Sequence, residues 1–443
     1  MISIEGLTGR VILQNSPDYD EARQNYNGRF NIFPKIIVYC LVTQDVVNAI
    51  LWARKHRLPF RIRGGGHSYE AFSLVNNGLI IDVSELLTLQ INKEHQTVQV
   101  GAGFRLLPLY ESLWNQGLVI PGGTCPSVCI SGLTLGGGHG LLSRMFGMTC
   151  DNLLEVEMVT AQGKIIRAND NQYSDLLWAC RGGGDGSFGV VTSFTFRTHP
   201  IRNVALYRMA WDFDNLKNVV QFWQSWAPYT DPRLTSLLTL PAQNQGDLRS
   251  SGVFVGPKET LEWTLRPLQE ATQPKVVEIY STNWIEAAHA YAGQPVRQEL
   301  FKNSSAFVYE PLSDEGINVL IHNLQTSPGT GNVVSFSAGG GSVSLVPVNA
   351  TAFVHRKALF LIQYQSYWAQ AAKADENIQW VEQFRQSMLP YTRGAYRNYC
   401  DSLIMDWPTA YFGENLTGLV SVKQKYDPEN LFNFEQSIPL YLY

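Results

Sequence analysis

The chain has 443 residues, 34 basic against 38 acidic for a net charge of −4 with no block of like charge, which excludes a polybasic nucleic-acid or membrane-surface binder. Hydrophobic residues make up 45% and charged ones 16%, which excludes disorder, and the length predicts two or three domains. The longest strongly apolar run, residues 36–42, falls far short of the ~20 residues of a spanning helix, and the start lacks the pattern of a secretory signal. The expectation is a cytoplasmic protein with neither a membrane nor a nucleic-acid partner. Six cysteines in so long a chain do not form a disulfide framework.

In chain order, a helix is predicted from an N-cap at Thr43 through about residue 55. A short strand at 60–63 runs into GGGHSYE. A buried strand follows at 79–83, then a hairpin of 89–91 with 98–100, a helix over 105–116, and 118–120 leading into a glycine-rich loop. A second hairpin pairs 153–160 with 164–167, and 190–198 alternates as a strand. From about residue 201 glycine thins out, and alternating runs stand at 234–240, 252–255, 276–280, 333–348 and 358–367, with helices at 216–226 and 376–389. That texture predicts a second domain, an antiparallel sheet covered by helices. No repeat of 20–50 residues is present.

The common signatures fail. Gly101-Ala102-Gly103 meets Leu106 where a dinucleotide fingerprint needs glycine, and the phosphate loop, H-E-x-x-H and G-x-S-x-G are absent. Cys125, Cys129 and His139 lack the second ligand pair of a zinc site, so no metal is expected. What stands out is glycine: twelve of 37 form four triplets, at 64–66, 136–138, 182–184 and 339–341. In RGGGHS, glycines allow close backbone approach, and successive N–H groups make an anion nest suited to a pyrophosphate. Alone, it reads more readily as a tight turn with a surface histidine. A second glycine-dense segment at 121–147 and a third, WACRGGGDGSFGVVT at 178–192, predict a large phosphate-containing cofactor held by backbone over much of its length.

RGGGHSYE, GGTCPSVCISGLTLGGGHG, RGGGDGSFGVVT and the C-terminal YRNYCDSLIMDWPTAYFGENLTGLVSVKQKYDPENLFNFEQSIP, in that order over roughly residues 30–443, resemble the berberine bridge enzyme-like FAD oxidases, a branch of the vanillyl-alcohol oxidase type. Bacterial members and oligosaccharide oxidases are the most similar. The resemblance implies an α+β fold: a PCMH-type FAD domain of two α+β subdomains at 1–200, a substrate domain at 201–390, and a segment at 391–443 returning to the FAD domain. It implies FAD bonded covalently to His67 (8α-carbon) and Cys125 (6-carbon); the plain alternatives are a hydrogen-bonded turn histidine and a buried free thiol. The motifs assign cofactor contacts to Arg63, Gly64, Gly65, Gly66, Ser68 and Tyr69. They add Gly123, Thr124, Val128, Gly132, Gly136, Gly137, Gly138, Gly140, Gly189, Val190, Asn398 and Asn430. Cys129 stands where relatives carry glycine, Leu133 where many carry histidine, Ser187 where asparagine is usual and Asp185 for a glycine.

The implied chemistry is hydride transfer from a hydroxyl-bearing carbon, of a carbohydrate or similar alcohol, to flavin, with O₂ reoxidising it to give hydrogen peroxide. Tyr399 of the Y-x-N-Y motif matches the family's base, with Tyr396 as the fallback; read plainly, both are core tyrosines. Gln363 matches a strand glutamine facing the flavin, against the alternative of an outward side chain. Val128, three after the linked cysteine, matches the position where a small side chain admits oxygen. The tryptophans of the second domain (Trp211, Trp223, Trp226, Trp263, Trp284, Trp368, Trp380) suit a carbohydrate groove as well as a core. A tailoring oxidoreductase of secondary metabolism and a flavin-loaded structural or coat protein are the alternative functions.

Overall fold

Strands and amphipathic helices sort into two large cores. The computed structural model describes residues 3–184, 186–293 and 298–442; Asp185 lies outside the described residues. A four-stranded sheet runs in the order Arg10–Leu13, Ile36–Tyr39, Leu79–Asp82, Phe60–Arg63, the first pair antiparallel and the rest parallel. Ile36, Ile37 and Val38, and Leu79, Ile80 and Ile81, are buried, as befits central strands covered on both faces. An antiparallel five-stranded sheet follows, in the order Leu89–Asn92, Thr97–Gly101, Val190–Arg197, Leu153–Val159, Ile165–Asn169.

The helix predicted from Thr43 spans Thr43–His56, but Thr43 does not cap it. Its hydroxyl donates instead to Glu157 at 2.9 Å, and the Asp45 carboxylate caps the turn by accepting from the Leu41 and Val42 amides. A carboxylate in the first turn also suits the positive end of the helix dipole.

The seven-stranded sheet is antiparallel throughout. Its order is Val276–Asn283, Asn203–Trp211, Leu248–Phe254, Leu234–Pro241, Gly331–Ala338, Phe360–Trp368, Leu300–Val308. Helices Leu216–Trp226, Asp314–Gln325 and Ala374–Met388 share a hydrophobic core with it. The alternating run at 333–348 is not one strand. It ends at Ala338, where Gly340 and Gly341 turn the chain at φ 80° and 55° into the short helix Ser342–Leu345. The tryptophans are mainly core: Trp211, Trp223, Trp284 and Trp380 are buried, Trp263 projects into solvent, and none lines the central cavity among the described residues.

Residues 395–438 touch the large sheet through Tyr396 and Asp401, but most of their apolar side chains pack elsewhere. Ala395, Ile404, Ala410, Tyr411, Phe412, Leu419, Phe432 and Ile438 join the core of the first two sheets. A small third cluster, Met148, Cys150, Phe307, Phe353, Leu361 and Tyr396, joins the parts where they meet. The architecture is α+β. No helix among the described residues is long and apolar enough to cross a membrane.

Candidate active site

A cavity of about 520 Å³ opens where the three sheets and the C-terminal segment converge, within the range of small-molecule and cofactor sites. Its first wall is the loop after Phe60–Arg63. Arg63 itself is withdrawn from the cavity. Its guanidinium pairs with Asp82 on the neighbouring strand and donates to the Ala22 carbonyl at 2.7 Å, fixing the strand end from which the glycines project. Gly64, Gly65, Gly66, His67, Ser68 and Tyr69 all line the cavity. A Cβ on Gly65 would stand 2.9 Å from the Cys129 amide nitrogen, so only glycine lets this loop touch the next.

The second wall runs from Gly123 to Leu141, with Thr124, Cys125, Val128, Cys129, Gly132, Leu133 and Gly140 facing inward. A Cβ on Gly140 would fall 1.6 Å from the Gly122 carbonyl oxygen. Gly136, Gly137 and Gly138 turn away from the cavity and carry the return of the loop, which the C-terminal segment fastens. The Tyr396 hydroxyl accepts from the Gly138 amide at 2.8 Å, the His139 amide at 3.2 Å and the Asn398 side chain at 3.0 Å. Asn398 also donates to the Leu133 carbonyl at 2.9 Å.

Gly186, Gly189 and Val191 contribute from the third loop, whereas Val190 points into the core. Ser187, at the position where the resemblance implies asparagine, belongs to the C-terminal packing: its hydroxyl accepts from the Ile438 amide and its carbonyl from Lys423. Asn430 does not reach the cavity. Asp427 gathers the Leu431 and Phe432 amides, Asn430 takes the left-handed turn at φ 51°, and Phe432, Asn433 and Phe434 are presented instead.

His67 and Cys125 face the same space. The His67 Nε2 lies 3.0 Å from the Ser127 hydroxyl, which is 3.9 Å from the Cys125 sulfur. Tyr26 stacks on the imidazole at 4.4 Å and donates its hydroxyl to Glu299 at 2.5 Å. Enclosure, aided by the charge of Arg105, holds the His67 imidazole neutral, its pKa pushed down to about 4.

The strand Phe360–Trp368 supplies the opposite wall. Gln363, Gln365 and Tyr367 alternate onto the cavity face. Gln363 points inward and donates to the Tyr69 hydroxyl at 2.9 Å. Tyr69 in turn stacks parallel to Tyr399, 5.6 Å between ring centres. The Tyr399 hydroxyl faces the cavity without a hydrogen bond among the described residues, and burial, with Tyr367 and Cys125 beside it, pushes the phenol up to about 12.

Among the described lining residues there is no carboxylate, while Arg61 and Arg397 bring positive charge. Glycine-rich backbone and this charge balance fit an anionic, extended cofactor such as FAD. Tyr26, Phe301, Gln365 and Tyr367 also line the cavity and lie outside every motif. Strand alternation from Gln363 marks Gln365 and Tyr367; Tyr26 and Phe301 carry no local signal.

Residues 34–169 match the family described as FAD binding domain, and residues 395–439 the one described as Berberine and berberine like. The chain is 42% identical over 438 residues to an uncharacterized FAD-linked oxidoreductase, YgaK, of Bacillus subtilis, covering 98% of this chain and 97% of that one. Among solved structures, BBE-like 1 of Physcomitrella patens superposes with a TM-score of 0.93 at 33% identity, covering 99% of this chain and 98% of that one. A chitooligosaccharide oxidase superposes with a TM-score of 0.89 at 26% identity, covering 97% of both chains.

Proposed function

The chain belongs to the berberine bridge enzyme-like family of FAD-linked oxidoreductases, and from that premise we propose an oxidase that holds FAD through two covalent bonds, at His67 and Cys125, and oxidises a hydroxyl-bearing carbon of a carbohydrate or similar alcohol. FAD held at His67 and Cys125 would supply the two-electron redox chemistry that such an oxidase needs, with O₂ as the proposed final acceptor and hydrogen peroxide as its product. The observation that carries this reading is the free Tyr399 hydroxyl, which shares one cavity with His67 and Cys125. Tyr399 takes the substrate's hydroxyl proton. Tyr69, held by Gln363, keeps the Tyr399 ring in place by stacking. Gln363 and Gln365 offer neutral donors and acceptors, which suits an uncharged polar substrate. Three donors engage the Tyr396 oxygen in fastening the second loop, which supports Tyr399 over Tyr396 as the base.

Acid-precipitated protein should stay yellow, and a tryptic digest should contain one flavin joining the His67 and Cys125 peptides. Free flavin in the supernatant would remove the covalent part of the reading. His67→Ala and Cys125→Ala should each keep the other link and slow reduction by substrate, since a flavin with fewer electron-withdrawing links accepts electrons less readily. Anaerobic bleaching of the flavin band by a panel of sugars, set against a panel of phenolic alcohols, identifies the substrate class. Bleaching by the phenolic panel alone moves the assignment to the tailoring alternative.

Val128 lines the cavity three residues after Cys125, and its small side chain leaves room for O₂. Val128→Leu adds a methylene to a packed wall, which costs about 1–3 kcal/mol where that space is needed. Reoxidation by O₂ should therefore slow by about 10- to 100-fold, with reduction by substrate little changed. Stopped-flow measurement of the two half-reactions checks this; equal slowing of both overturns the oxygen-access role.

A further inference from the structure

We propose that the Ser127 hydroxyl prepares both attachment residues for bonding to the flavin, an inference that rests on the bicovalent reading above. Three observations carry it. Ser127 Oγ lies 3.0 Å from His67 Nε2 and 3.9 Å from Cys125 Sγ, so one hydroxyl reaches both nucleophiles. The segment is fixed: Arg105 donates to the Ser127 carbonyl at 3.0 Å, and the Leu106 amide donates to the Val128 carbonyl at 3.0 Å. The imidazole is fixed as well, by the Tyr26 ring at 4.4 Å.

A hydroxyl has one proton to give and lone pairs to receive with. A neutral imidazole has one N–H and one bare nitrogen. In the proposed arrangement His67 Nε2–H donates to Ser127 Oγ and the Ser127 O–H is directed at Cys125 Sγ. The first bond leaves the lone pair of His67 on Nδ1, free to attack. The second aims the sulfur, the nucleophile that bonds the flavin carbon.

The two bond-forming reactions balance with dioxygen as the named oxidant. Cys125 loses its S–H proton and forms a bond to the ring carbon, that carbon loses its hydrogen, and the two electrons and two protons reduce O₂ to H₂O₂. His67 loses its ring N–H proton and bonds the methyl carbon, which loses one hydrogen, again with O₂ reduced to H₂O₂. Ser127 is unchanged at the end of both, which makes it a positioning residue rather than a reactant.

The test follows the links directly, independent of turnover. Full-length chain is made by cell-free translation with FAD in air, and samples are acid-quenched over time and digested for peptide mass spectrometry. Removing a hydrogen bond that aims a reacting group should slow attachment by about 3- to 10-fold. Ser127→Ala should slow both links by that factor, and Ser127→Thr, which keeps the hydroxyl, should restore them. In Cys125→Ala and His67→Ala backgrounds, Ser127→Ala should slow the one remaining link. Links formed at the wild-type rate in Ser127→Ala overturn the role, as do equal defects in Ser127→Ala and Ser127→Thr. Wild-type protein that never acquires a link overturns the bicovalent reading itself.

Discussion

Replacing Tyr399 by phenylalanine should lower the rate of flavin reduction by about 10²–10⁴-fold at saturating substrate, the range for a lost general base. The substitution keeps the ring that stacks on Tyr69 and removes a hydroxyl that has no hydrogen bond among the described residues, so stability should be almost unchanged. The pH profile adds a second readout. With its pKa pushed up to about 12, the phenol is ionised in roughly one molecule in 10⁴ at pH 8. The wild-type rate should rise about tenfold per pH unit through the alkaline range, and Tyr399→Phe should flatten that rise. Tyr396→Phe should do something else: it frees the Gly138 and His139 amides and loosens the second loop, lowering stability and cofactor retention. An unchanged reduction rate in Tyr399→Phe would sink the assignment.

Lys302→Met should be the most destabilising single change near the site, by about 3–5 kcal/mol, because it leaves buried charge uncompensated. Lys302 is wholly buried between Glu70 and Asp401, pairing with both. Glu70 also accepts from Arg29 and Ser402, each at 2.9 Å. This cluster ties the residue after Tyr69, the strand of Phe301 and the segment of Tyr399 to one another. Removing both members of one pair should cost less than removing one. Lys302→Met with Asp401→Asn leaves Arg29 and Glu70 still paired, and should recover part of the loss. Thermal unfolding of the two variants decides it: a double variant no more stable than the single one contradicts the account.

What could be read from sequence was local. Each glycine-rich loop announces itself within a few residues, and so do His67, Cys125 and Tyr399 as cavity-lining side chains, because each lies in one short motif. The strand Leu300–Val308 shows where that fails. It has no apolar–polar alternation, since Lys302, Asn303, Ser304 and Ser305 are all buried: Lys302 is held by the cluster above, Asn303 donates to the Tyr367 hydroxyl at 3.2 Å and the Ser305 hydroxyl accepts from the Tyr396 amide at 2.9 Å. Its burial is decided by tertiary partners, which no window of sequence contains. The same holds for Asn430, whose motif position suggests a contact that the Asp427-centred turn directs elsewhere. At 333–348 the reverse occurred: alternation continued past Ala338, but Gly340 and Gly341 overrode it.

The fastening of the second loop by Tyr396 joins groups 258 residues apart in the chain, and this imposes an order on biosynthesis. While the polypeptide is still on the ribosome, the first two sheets can form, but the donors of Gly138 and His139 await an acceptor that has not been translated. The large sheet must emerge and collapse in between, as a closed excursion whose ends come together only afterwards. Retention of a bound cofactor is therefore expected only after the segment carrying Tyr396 has been made. Nascent fragments ending before residue 395 should carry secondary structure without retaining flavin, and a chaperone shielding the open loops would act in that interval.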